Sequence, residues 1–414
     1  MGMKRAIIVL FVMLGFQSIQ CQRDFSIELP DEPLRELTPF EKQLAESGND
    51  FGLTLFQEIV QAEPDTNIFI SPLSVAMALG MTYNGSAGTT EEAMRNTLGF
   101  GNLTDQEINE SYSSLIALLT ELDPEVIFEI ANSIWYRDTF PVEESFIDIN
   151  KAYFDAEVSD LDFSSPSAPD VINNWVGQKT HGKIEEIINQ IDPLVVMYLI
   201  NAIYFNGTWQ FEFDEEETQD DVFNRPDHSQ VACRMMEQEN DFDYFENADF
   251  QAVDLPYGNG QFSMTIFLPK SGQSVDDLIA ELSWAKWITW MNQFRRTRGS
   301  LYLPKFTIEY KALLNDCLSD MGMGVAFDPE HADFTKINRN GDLYISKVLH
   351  KTYVEVDEEG TEASAVTAVE ISLTSIGGSE GFVMRVDRPF FFVIREDHSQ
   401  TLLFMGKVTD PSVQ

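Results

Sequence analysis

The amino-acid sequence predicts one large domain of the α+β class, and three observations carry that prediction. Strand-like apolar runs and amphipathic helical runs follow one another without the regular strand–helix–strand period of α/β folds. The chain has no internal repeat, no low-complexity block and no clear linker. Hydrophobic residues make up 43% of the 414 residues and aromatic residues 12%, so the chain can fill a large core.

The net charge limits the classes of partner. The chain has 68 acidic and 27 basic residues, which gives a formal net charge of −41. We therefore expect no binding to nucleic acid, to anionic membranes or to polyanions such as heparin, because each of these would repel the protein. A cationic partner is compatible with the charge.

The N-terminus has the layout of a secretory signal peptide. Lys4 and Arg5 precede an apolar block, residues 6–16, and the pattern predicts cleavage near Cys21. The block is shorter than the about 20 residues that a membrane-spanning helix needs, which disfavours a membrane anchor. We expect a secreted, extracellular protein with a signal peptide at 1–21, an acidic extension at 22–37 and one folded domain at 38–414.

Cysteines and glycosylation sequons agree with secretion. Signal cleavage would leave Cys233 and Cys317, too few for a disulfide framework, so two buried thiols are expected. Two Asn-X-Ser/Thr sequons lie in a polar stretch, at Asn102 and Asn109, and are the preferred acceptors. Two more adjoin apolar elements, where they are expected to be less accessible, at Asn84 and Asn206.

The elements of the first half follow from capping and periodicity. Residues 51–60 show helical spacing of apolar side chains, and residues 68–70 read as a short strand. Ser71 is a good N-cap for a helix that is apolar nearly all round and therefore buried. Because Ser71 and Ser74 lie at the head of that helix, their hydroxyl groups need partners. A Thr89–Glu92 capping box predicts the next helix.

The later elements include a candidate central strand. Residues 195–205 form a continuous apolar run, which is typical of a strand covered on both faces. Asn201 interrupts this run, and its amide would cost a few kcal/mol if it were buried without hydrogen bonds. The other predicted strands are 126–136, 261–268, 300–310, 343–356, 389–394 and 402–408, and the other predicted helices are 169–188, 274–294 and 311–323.

The stretch at residues 354–375 is unusual because strand-like alternation gives way to small residues after Gly360. Side chains this small bury little apolar area, yet the run is too apolar for an ordinary linker. As a strand, it would place Thr361, Ala363, Ala365 and Thr367 on one face and Glu362, Ser364 and Val366 on the other. The pattern predicts either a solvated loop or a strand that still lacks partners.

Catalytic and metal-binding motifs are absent from the sequence. The five histidines form no His-Glu-x-x-His pair, and there is no nucleophile elbow, phosphate loop, dinucleotide fingerprint or Cys-x-x-Cys. We therefore expect no enzyme, no metal and no cofactor. A triad assembled from distant parts of the chain would leave no such motif, so a secreted hydrolase stays as a minor alternative.

Seven segments of the chain form an ordered series of motifs: NIFISPLS from residue 67, INNWVGQKTHGKI from 172, INAIYFNGTW from 200, LPKF from 303, DEEGTEASAV from 357, DRPFFFVIRE from 387 and LLFMGKVTDP from 402. In this order they resemble the serpin family, and the segment that begins near residue 356 resembles its reactive-loop hinge. The resemblance covers about residues 38–412. It implies a serpin fold with a five-stranded main sheet, two further sheets, eight or nine helices and an exposed reactive loop. The acidic region 101–123 departs from serpins that carry a heparin-binding helix there.

The resemblance also implies three groups of site residues. The shutter, a polar cluster beneath the point where the main sheet opens, comprises Ser71, Ser74, Asn201 and His350. The breach, where the loop first enters the sheet, comprises Trp209 and the pair Lys305 and Glu358. The hinge comprises Glu358, Gly360, Thr361, Glu362, Ala363, Ser364 and Ala365.

The mechanism implied by the resemblance is a trap that works once. A serine protease attacks the loop as a substrate, and the cut loop then inserts into the main sheet as an added strand. The small hinge residues favour an inhibitor over a non-inhibitory carrier or storage protein. Family spacing from Glu358 implies a reactive bond at Thr374–Ser375, or at Leu373–Thr374. Because no Arg or Lys occurs from Thr361 until Arg385, the expected targets are elastase-, chymotrypsin- or subtilisin-type enzymes. The inhibitor is expected to be a monomer.

Overall fold

Two mixed β-sheets and nine helices make up the part of the chain that the computed structural model describes, residues 34–361 and 381–412. The helices are α1 (Pro39–Ala62), α2 (Pro72–Tyr83), α3 (Gly88–Thr97), α4 (Asp105–Glu121), α5 (Glu144–Phe154), α6 (Ala168–Lys179), α7 (Val275–Ala280), α8 (Trp284–Met291) and α9 (Asn315–Leu318). The strands are β1 (Ile68–Ile70), β2 (Val126–Arg137), β3 (Glu157–Leu161), β4 (Met197–Thr208), β5 (Gln219–Asn224), β6 (Gln230–Glu246), β7 (Phe250–Tyr257), β8 (Phe262–Pro269), β9 (Arg295–Pro304), β10 (Phe306–Leu313), β11 (Leu349–Val356), β12 (Gly360–Thr361), β13 (Phe382–Arg385), β14 (Phe390–Glu396) and β15 (Leu402–Val408). This confirms the α+β class.

The main sheet has six strands in the order β10-β11-β12-β4-β2-β3. Five of them match the predicted main sheet, and the sixth, β12, is only the two-residue start of the hinge. Because β12 runs antiparallel to both β11 and β4, those two strands run parallel to each other on either side of it.

The second sheet has nine strands, with β5 attached to β6 beside the path β1-β15-β14-β8-β7-β6-β9-β13. The expected architecture had two further sheets, whereas the structure joins these strands into one. The reason is the 17-residue strand β6, which pairs with β5, β7 and β9 along its length and so connects them in one hydrogen-bonded sheet.

The core lies between the sheets and around α2. The α2 helix begins at its Ser71 cap, carries Pro72 at its first position and is almost entirely buried. A smaller apolar cluster covers the outer face of the main sheet, where Trp175 of α6 packs edge-on against Trp135 of β2 at 6.2 Å. The main sheet therefore has α2 on its inner face and α6 on its outer face. No helix in the described ranges is long and apolar enough to cross a membrane.

Several element boundaries differ from those predicted. The predicted helix 169–188 ends at Lys179, because His181 and Gly182 adopt positive φ angles of 50° and 85°. Residues 300–310 divide at Lys305 into two strands, β9 and β10, that belong to different sheets. The Thr89 capping box is wrong, since α3 follows Ala87 and no side chain caps it.

Other elements are shorter than predicted or were not predicted. Strand β11 begins at Leu349 rather than at 343, and the predicted helix 274–294 is two short helices, α7 and α8. The predicted helix 311–323 is a four-residue α9 that continues into a π-helical turn, Ser319–Met323. Strands that the sequence did not predict are β3, β5, β6, β7 and β13.

Candidate functional site

The main sheet is divided along one line, between β4 and β11. In the described residues β4 pairs only with β2 and β12, while β11 pairs only with β10 and β12. No backbone hydrogen bond there joins β4 directly to β11. We call the space between these two strands, beyond Thr361, the seam. The two halves of the sheet, β10–β11 and β4–β2–β3, are connected within the described part of the sheet only by β12.

Two cavities follow the seam. One of about 30 Å³ lies next to Thr361, between residues 203–205 of β4 and 352–354 of β11. A larger one of about 270 Å³ continues between residues 194–201 and 342–351, with the side of α2 as its inner wall. The seam therefore contains space along its length.

Ser71 and His350 form one half of the shutter, on the β11 side. The backbone N–H of Ser71 donates to His350 Nε2 at 3.0 Å, and the Ser71 hydroxyl donates to the Leu403 carbonyl at 2.8 Å. The same hydroxyl accepts from the Ser74 backbone N–H at 3.2 Å, which caps α2. Burial lowers the pKa of His350 to about 4, so its neutral imidazole can accept this hydrogen bond near pH 7.

Ser74 and Asn201 form the other half, on the β4 side. The Ser74 hydroxyl donates to the Asn201 main-chain carbonyl at 3.4 Å, and Asn201 Nδ2 donates to Asn132 Oδ1 at 2.9 Å. Asn201 Oδ1 is buried and has no hydrogen-bond partner among the described residues. A buried acceptor without a partner costs about 1–3 kcal/mol. The head of α2 thus contacts both halves of the sheet, beside one unsatisfied acceptor.

Trp209 fixes the turn that leads into β12. It is only 4% exposed, its indole N–H donates to the Asp357 carbonyl at 3.0 Å, and its backbone N–H donates to the Glu359 carbonyl at 2.9 Å. The indole stacks on Tyr257 at 4.4 Å, and the Tyr257 hydroxyl lies 2.5 Å from Thr361 Oγ1. Trp209 and Tyr257 therefore fix both the turn and Thr361, the second residue of β12.

Lys305 and Glu358 form an ion pair at the base of the loop. The carboxylate of Glu358 is also an acceptor for the Thr218 hydroxyl at 2.8 Å, and Glu358 is only 5% exposed. Burial alone would raise the pKa of Glu358, but the hydrogen bonds from Lys305 and Thr218 outweigh it and hold this pKa below its ordinary value. The pair is therefore not an ordinary exposed surface bridge.

Gly360 allows the close approach of two strands. A Cβ atom at this position would overlap the carbonyl oxygen of Gly207 and lie 2.9 Å from the Thr208 Cα, both in β4. Asp357 supports the same turn by accepting from the backbone N–H groups of Glu359 and Gly360 at 3.1 and 3.2 Å. The start of the hinge can pair with β4 only because residue 360 lacks a side chain.

Several predicted positions lie outside the described residues. These are the hinge residues Glu362, Ala363, Ser364 and Ala365, the reactive-bond residues Leu373, Thr374 and Ser375, the signal peptide 1–21 and the extension as far as residue 33. The described chain from Glu36 onward forms one compact unit. In the ranges that the structure covers, no group of three or more His, Cys, Asp or Glu side chains could hold a metal ion.

The burial of Asn109 disfavours it as a glycan acceptor in this fold. Asn109 is 4% exposed, and its side chain exchanges two hydrogen bonds with Asn84 at 2.9 and 3.0 Å. A glycan on either residue would break this buried pair. Asn206 is half-buried within β4, and Asn102 alone among the four sequons has an exposed asparagine.

The two cysteines are half-buried rather than buried. Both are free thiols, and burial is the largest cause that raises the pKa of Cys233 and of Cys317. Neither thiol is therefore poised as a reactive thiolate.

Sequence reasoning missed two contributors to the site. Tyr257, which holds Thr361, lies in the unpredicted strand β7, and Thr218 lies just before the unpredicted strand β5. The aromatic residues of β7 were a signal for a buried strand, but no local signal pairs Thr218 with Glu358 across 140 positions.

The comparisons with known proteins agree on one family. The family model "Serpin (serine protease inhibitor)" matches residues 46–411. Neuroserpin of Gallus gallus is 33% identical over 398 residues, which cover 94% of this chain and 93% of that protein. Among solved structures, the thermophilic serpin tengpin in the native state has a TM-score of 0.82 at 33% identity, covering 92% of this chain and 97% of tengpin. Human thyroxine-binding globulin complexed with thyroxine has a TM-score of 0.83 at 28% identity, covering 90% of this chain and 100% of that chain.

Proposed function

The chain belongs to the serpin family, and on that premise we propose that it inhibits extracellular serine proteases as a covalent suicide substrate. The single observation that supports this best is the seam. It is a strand-wide gap in the main sheet that begins directly after Gly360 and Thr361, the two residues of β12 that already lie between β4 and β11. A cut loop could continue from these two residues into the seam.

The register of β12 indicates where the loop would go. Gly360 pairs with Thr208 and Thr361 with Gly207, while Thr361 also pairs with Val356 on the other side. Continuing this antiparallel register brings Thr367, the third inward-facing residue after Thr361, between Asn201 and His350 at the shutter. On the way, Ala363 would lie between Phe205 and Val354, and Ala365 between Ile203 and Thr352.

Small side chains suit that path. Thr361 points to the core and is buried, so Ala363, Ala365 and Thr367 would share its face by the two-residue period. The first cavity on that path measures only about 30 Å³ and would accept methyl groups more readily than large side chains. The inserted strand would also bring backbone donors to the partnerless Asn201 Oδ1.

The covalent step uses the catalytic machinery of the target protease. The protease serine hydroxyl attacks the carbonyl carbon of Thr374, or of Leu373 in the alternative register. The peptide bond to the next residue breaks, an ester to the protease forms, and the new amine leaves with the proton. Insertion then carries the ester to the far end of the seam before water hydrolyses it. No residue of this chain acts as a catalyst.

The loop sequence favours proteases with apolar or small primary pockets. No Arg or Lys lies between Thr361 and Arg385, which disfavours trypsin-like targets. We further propose a secreted monomer that needs no cofactor, with Asn102 as the preferred glycan acceptor. The signal-peptide pattern supports secretion, and the exposure of Asn102 supports its glycosylation.

The test is adduct formation. Incubation with elastase, chymotrypsin or subtilisin should give an SDS-resistant adduct, and the released C-terminal peptide should begin at Ser375 or at Thr374. A matched variant, Thr361→Arg, should be cut at the same bond without forming the adduct, since the side chain cannot enter the buried hinge position. A released peptide that begins after Arg385 would refute the reactive-bond assignment.

A non-inhibitory carrier or storage protein is the second candidate. The structural likeness to thyroxine-binding globulin, whose structure holds thyroxine, favours it. Such a protein would be nicked by proteases without forming an adduct, and its melting temperature would not rise after nicking.

A further inference from the structure

Asp123 is a buried acidic residue in the turn between α4 and β2. Its side chain is part of a residue that is only 7% exposed, and one carboxylate oxygen accepts from the backbone N–H of Glu125 at 2.8 Å. The other oxygen accepts from the backbone N–H of Asn259, 136 positions later in the chain, at 2.9 Å. One carboxylate therefore joins the turn before β2 to the turn between β7 and β8.

A local role does not account for this carboxylate. Supporting the turn before β2 takes one acceptor oxygen, which a neutral asparagine or serine side chain would supply. Both printed partners of Asp123 among the described residues are backbone N–H groups rather than cations. Burial of a carboxylate without a cation costs free energy. The two acceptors of Asp123 are needed only because the side chain also binds Asn259.

The β7–β8 turn fits closely against Asp123. Gly258 has a φ angle of 44°, and a Cβ atom there would lie 2.6 Å from Asp123 Oδ2. The backbone N–H of Gly258 also donates to the Thr208 carbonyl in β4 at 2.9 Å. The turn is thus held from two sides, and so is Tyr257, the residue that precedes it.

Tyr257 extends this contact to the hinge. Its hydroxyl lies 2.5 Å from Thr361 Oγ1, and its ring stacks on Trp209 at 4.4 Å. A Cβ atom at Gly207 in β4 would lie 2.9 Å from the Tyr257 ring. The ring therefore fills the space beneath this end of β4, and its position depends on the turn that Asp123 binds.

The main sheet connects Asp123 to the hinge by a second route. Val126 of β2 pairs with Gly207 of β4, and Gly207 pairs with Thr361 of β12. The backbone N–H of Val126 donates to the Asp123 carbonyl at 3.3 Å. Contacts from Asp123 therefore reach Thr361 through the sheet and again through Tyr257, which forms a closed ring of contacts around the start of the seam.

We infer, on the basis of the proposed function, that Asp123 is a positioning residue for the first step of loop insertion. Through the β7–β8 turn it holds Tyr257 against Thr361. This contact keeps Thr361 in the register from which the following residues enter the seam. When it is lost, insertion starts more slowly, and a larger share of the acyl-enzyme is hydrolysed before the loop has entered.

The test compares Asp123→Ala with wild type in the full chain, with elastase as the protease. The measured quantity is the ratio of cleaved, free inhibitor to SDS-resistant adduct. This ratio should rise about three- to tenfold, as expected when about one hydrogen bond is lost from the transition state of insertion. The summed rate of cleavage and adduct formation should not change, because the attack on the loop precedes insertion.

Two further variants test the route of the effect. Gly258→Ala places a methyl group against Asp123 Oδ2 and should raise the same ratio. Tyr257→Phe lacks the hydroxyl that contacts Thr361. In that background Asp123→Ala should raise the ratio by a smaller factor than it does in wild type. Equal factors in both backgrounds would refute the route through the Tyr257 hydroxyl.

A matched control is present at the other end of β7. Asn247 Oδ1 accepts from the backbone N–H groups of Asp249 and Phe250 at 2.8 and 2.9 Å. Asn247→Ala therefore also removes two hydrogen bonds from a turn beside β7, and it should leave the ratio of cleaved inhibitor to adduct at the wild-type value. Should Asp123→Ala not fold, Asp123→Asn keeps one acceptor and should give a smaller rise of this ratio.

Two results would overturn the inference in different ways. A wild-type ratio in Asp123→Ala, with equal losses of melting temperature in the intact and nicked forms, would mean that Asp123 only stabilises its turn. Wild-type protein that forms no adduct and gains no stability on nicking would remove the proposed function, and this inference with it.

Discussion

The two sheets of this protein differ in how fully their strands are paired. In the nine-stranded sheet, β14 pairs along its length with β15 on one side and β8 on the other, and Phe390–Ile394 are fully buried. In the main sheet, the described residues between β4 and β11 are only Gly360 and Thr361. The same chain therefore builds one continuous sheet and one divided sheet.

We expect the continuous sheet to contribute mainly to stability and the divided sheet mainly to function. A continuous sheet satisfies its backbone donors and acceptors internally and resists opening. A divided sheet leaves two strand edges facing a gap, and such edges are templates for a further strand. We expect changes in the nine-stranded sheet to affect the intact and nicked forms equally, and changes at the seam to affect them unequally.

The largest expected effect comes from the continuous sheet. Phe391 is fully buried and stacks on Phe267 at 4.6 Å with an interplanar angle of 2°. Phe391→Ala should lower the free energy of unfolding by about 3–5 kcal/mol, because it leaves a cavity in a packed core. Denaturant titration should give the same loss in intact and nicked protein. Val383→Ala, at a 63% exposed position in the same sheet, is the control and should change little. A loss confined to the intact form would contradict the comparison.

The pH dependence of stability tests the shutter. His350 stays neutral in the folded protein down to about pH 4, while its ordinary pKa in an unfolded chain is 6.5. Between these values the unfolded state binds the extra proton, so the contribution of His350 to the free energy of unfolding should be largest above pH 6.5. It should fall by about 3 kcal/mol as the pH decreases towards 4.

The control for this prediction is a histidine far from the seam. His350→Gln should remove the drop between pH 6.5 and 4, whereas His398→Gln, in the turn between β14 and β15, should retain it. If His350→Gln kept the full drop, the neutral imidazole would not be its cause.

Substitution of the hinge residue Gly360 should affect the intact and the nicked protein differently. Gly360→Val would force β12 away from Gly207 and Thr208, since even a Cβ atom overlaps the Gly207 carbonyl. We expect a loss of about 1–3 kcal/mol in the intact protein from the strained contact. The rise in melting temperature on nicking should also disappear, because the first step of insertion is blocked. Differential scanning calorimetry of both forms measures the two effects, and a preserved rise would contradict the proposed path.

The smallest expected effect separates two sequons. Asn109→Ala removes a buried amide pair with Asn84 and should cost about 1–2 kcal/mol in the free energy of unfolding. Asn102→Gln should change stability by less than about 0.5 kcal/mol. In a glycosylating host only Asn102→Gln should reduce the glycan mass, as measured by mass spectrometry. A glycan found on Asn109 would refute the burial of this side chain.

Short sequence patterns predicted the helices and strands whose formation depends on neighbouring residues in the chain. The Ser71 cap with Pro72 predicted α2, and the apolar run through Asn201 predicted the centre of β4. Strand β6 was not predicted, because acidic residues alternate along its outer face and make the segment look polar. These residues are Glu237, Glu239, Asp241 and Asp243. The other face includes the buried Met236 and Phe242, whose role is visible only in the folded sheet.

The candidate site was predicted as a set of residues, but not as a geometry. Family resemblance named Ser71, Ser74, Asn201 and His350 as one cluster. The structure divides them into two pairs on opposite sides of the seam, with α2 contacting both. The burial of Asn109 could not be predicted from the sequence either. It depends on a hydrogen bond with Asn84 at the end of α2, 25 positions earlier in the chain. Contacts between distant segments carry no local pattern in the chain.

The position of Trp209 gives the protein its own optical reporter. Its indole is buried against Tyr257 and donates to the carbonyl of Asp357, one residue before the loop base. Movement of that turn would change the water exposure and the hydrogen bond of this fluorophore, and so shift its emission wavelength. The chain has six tryptophans, so a difference spectrum against Trp209→Phe would isolate this signal. Hinge motion could then be followed in real time without any attached dye.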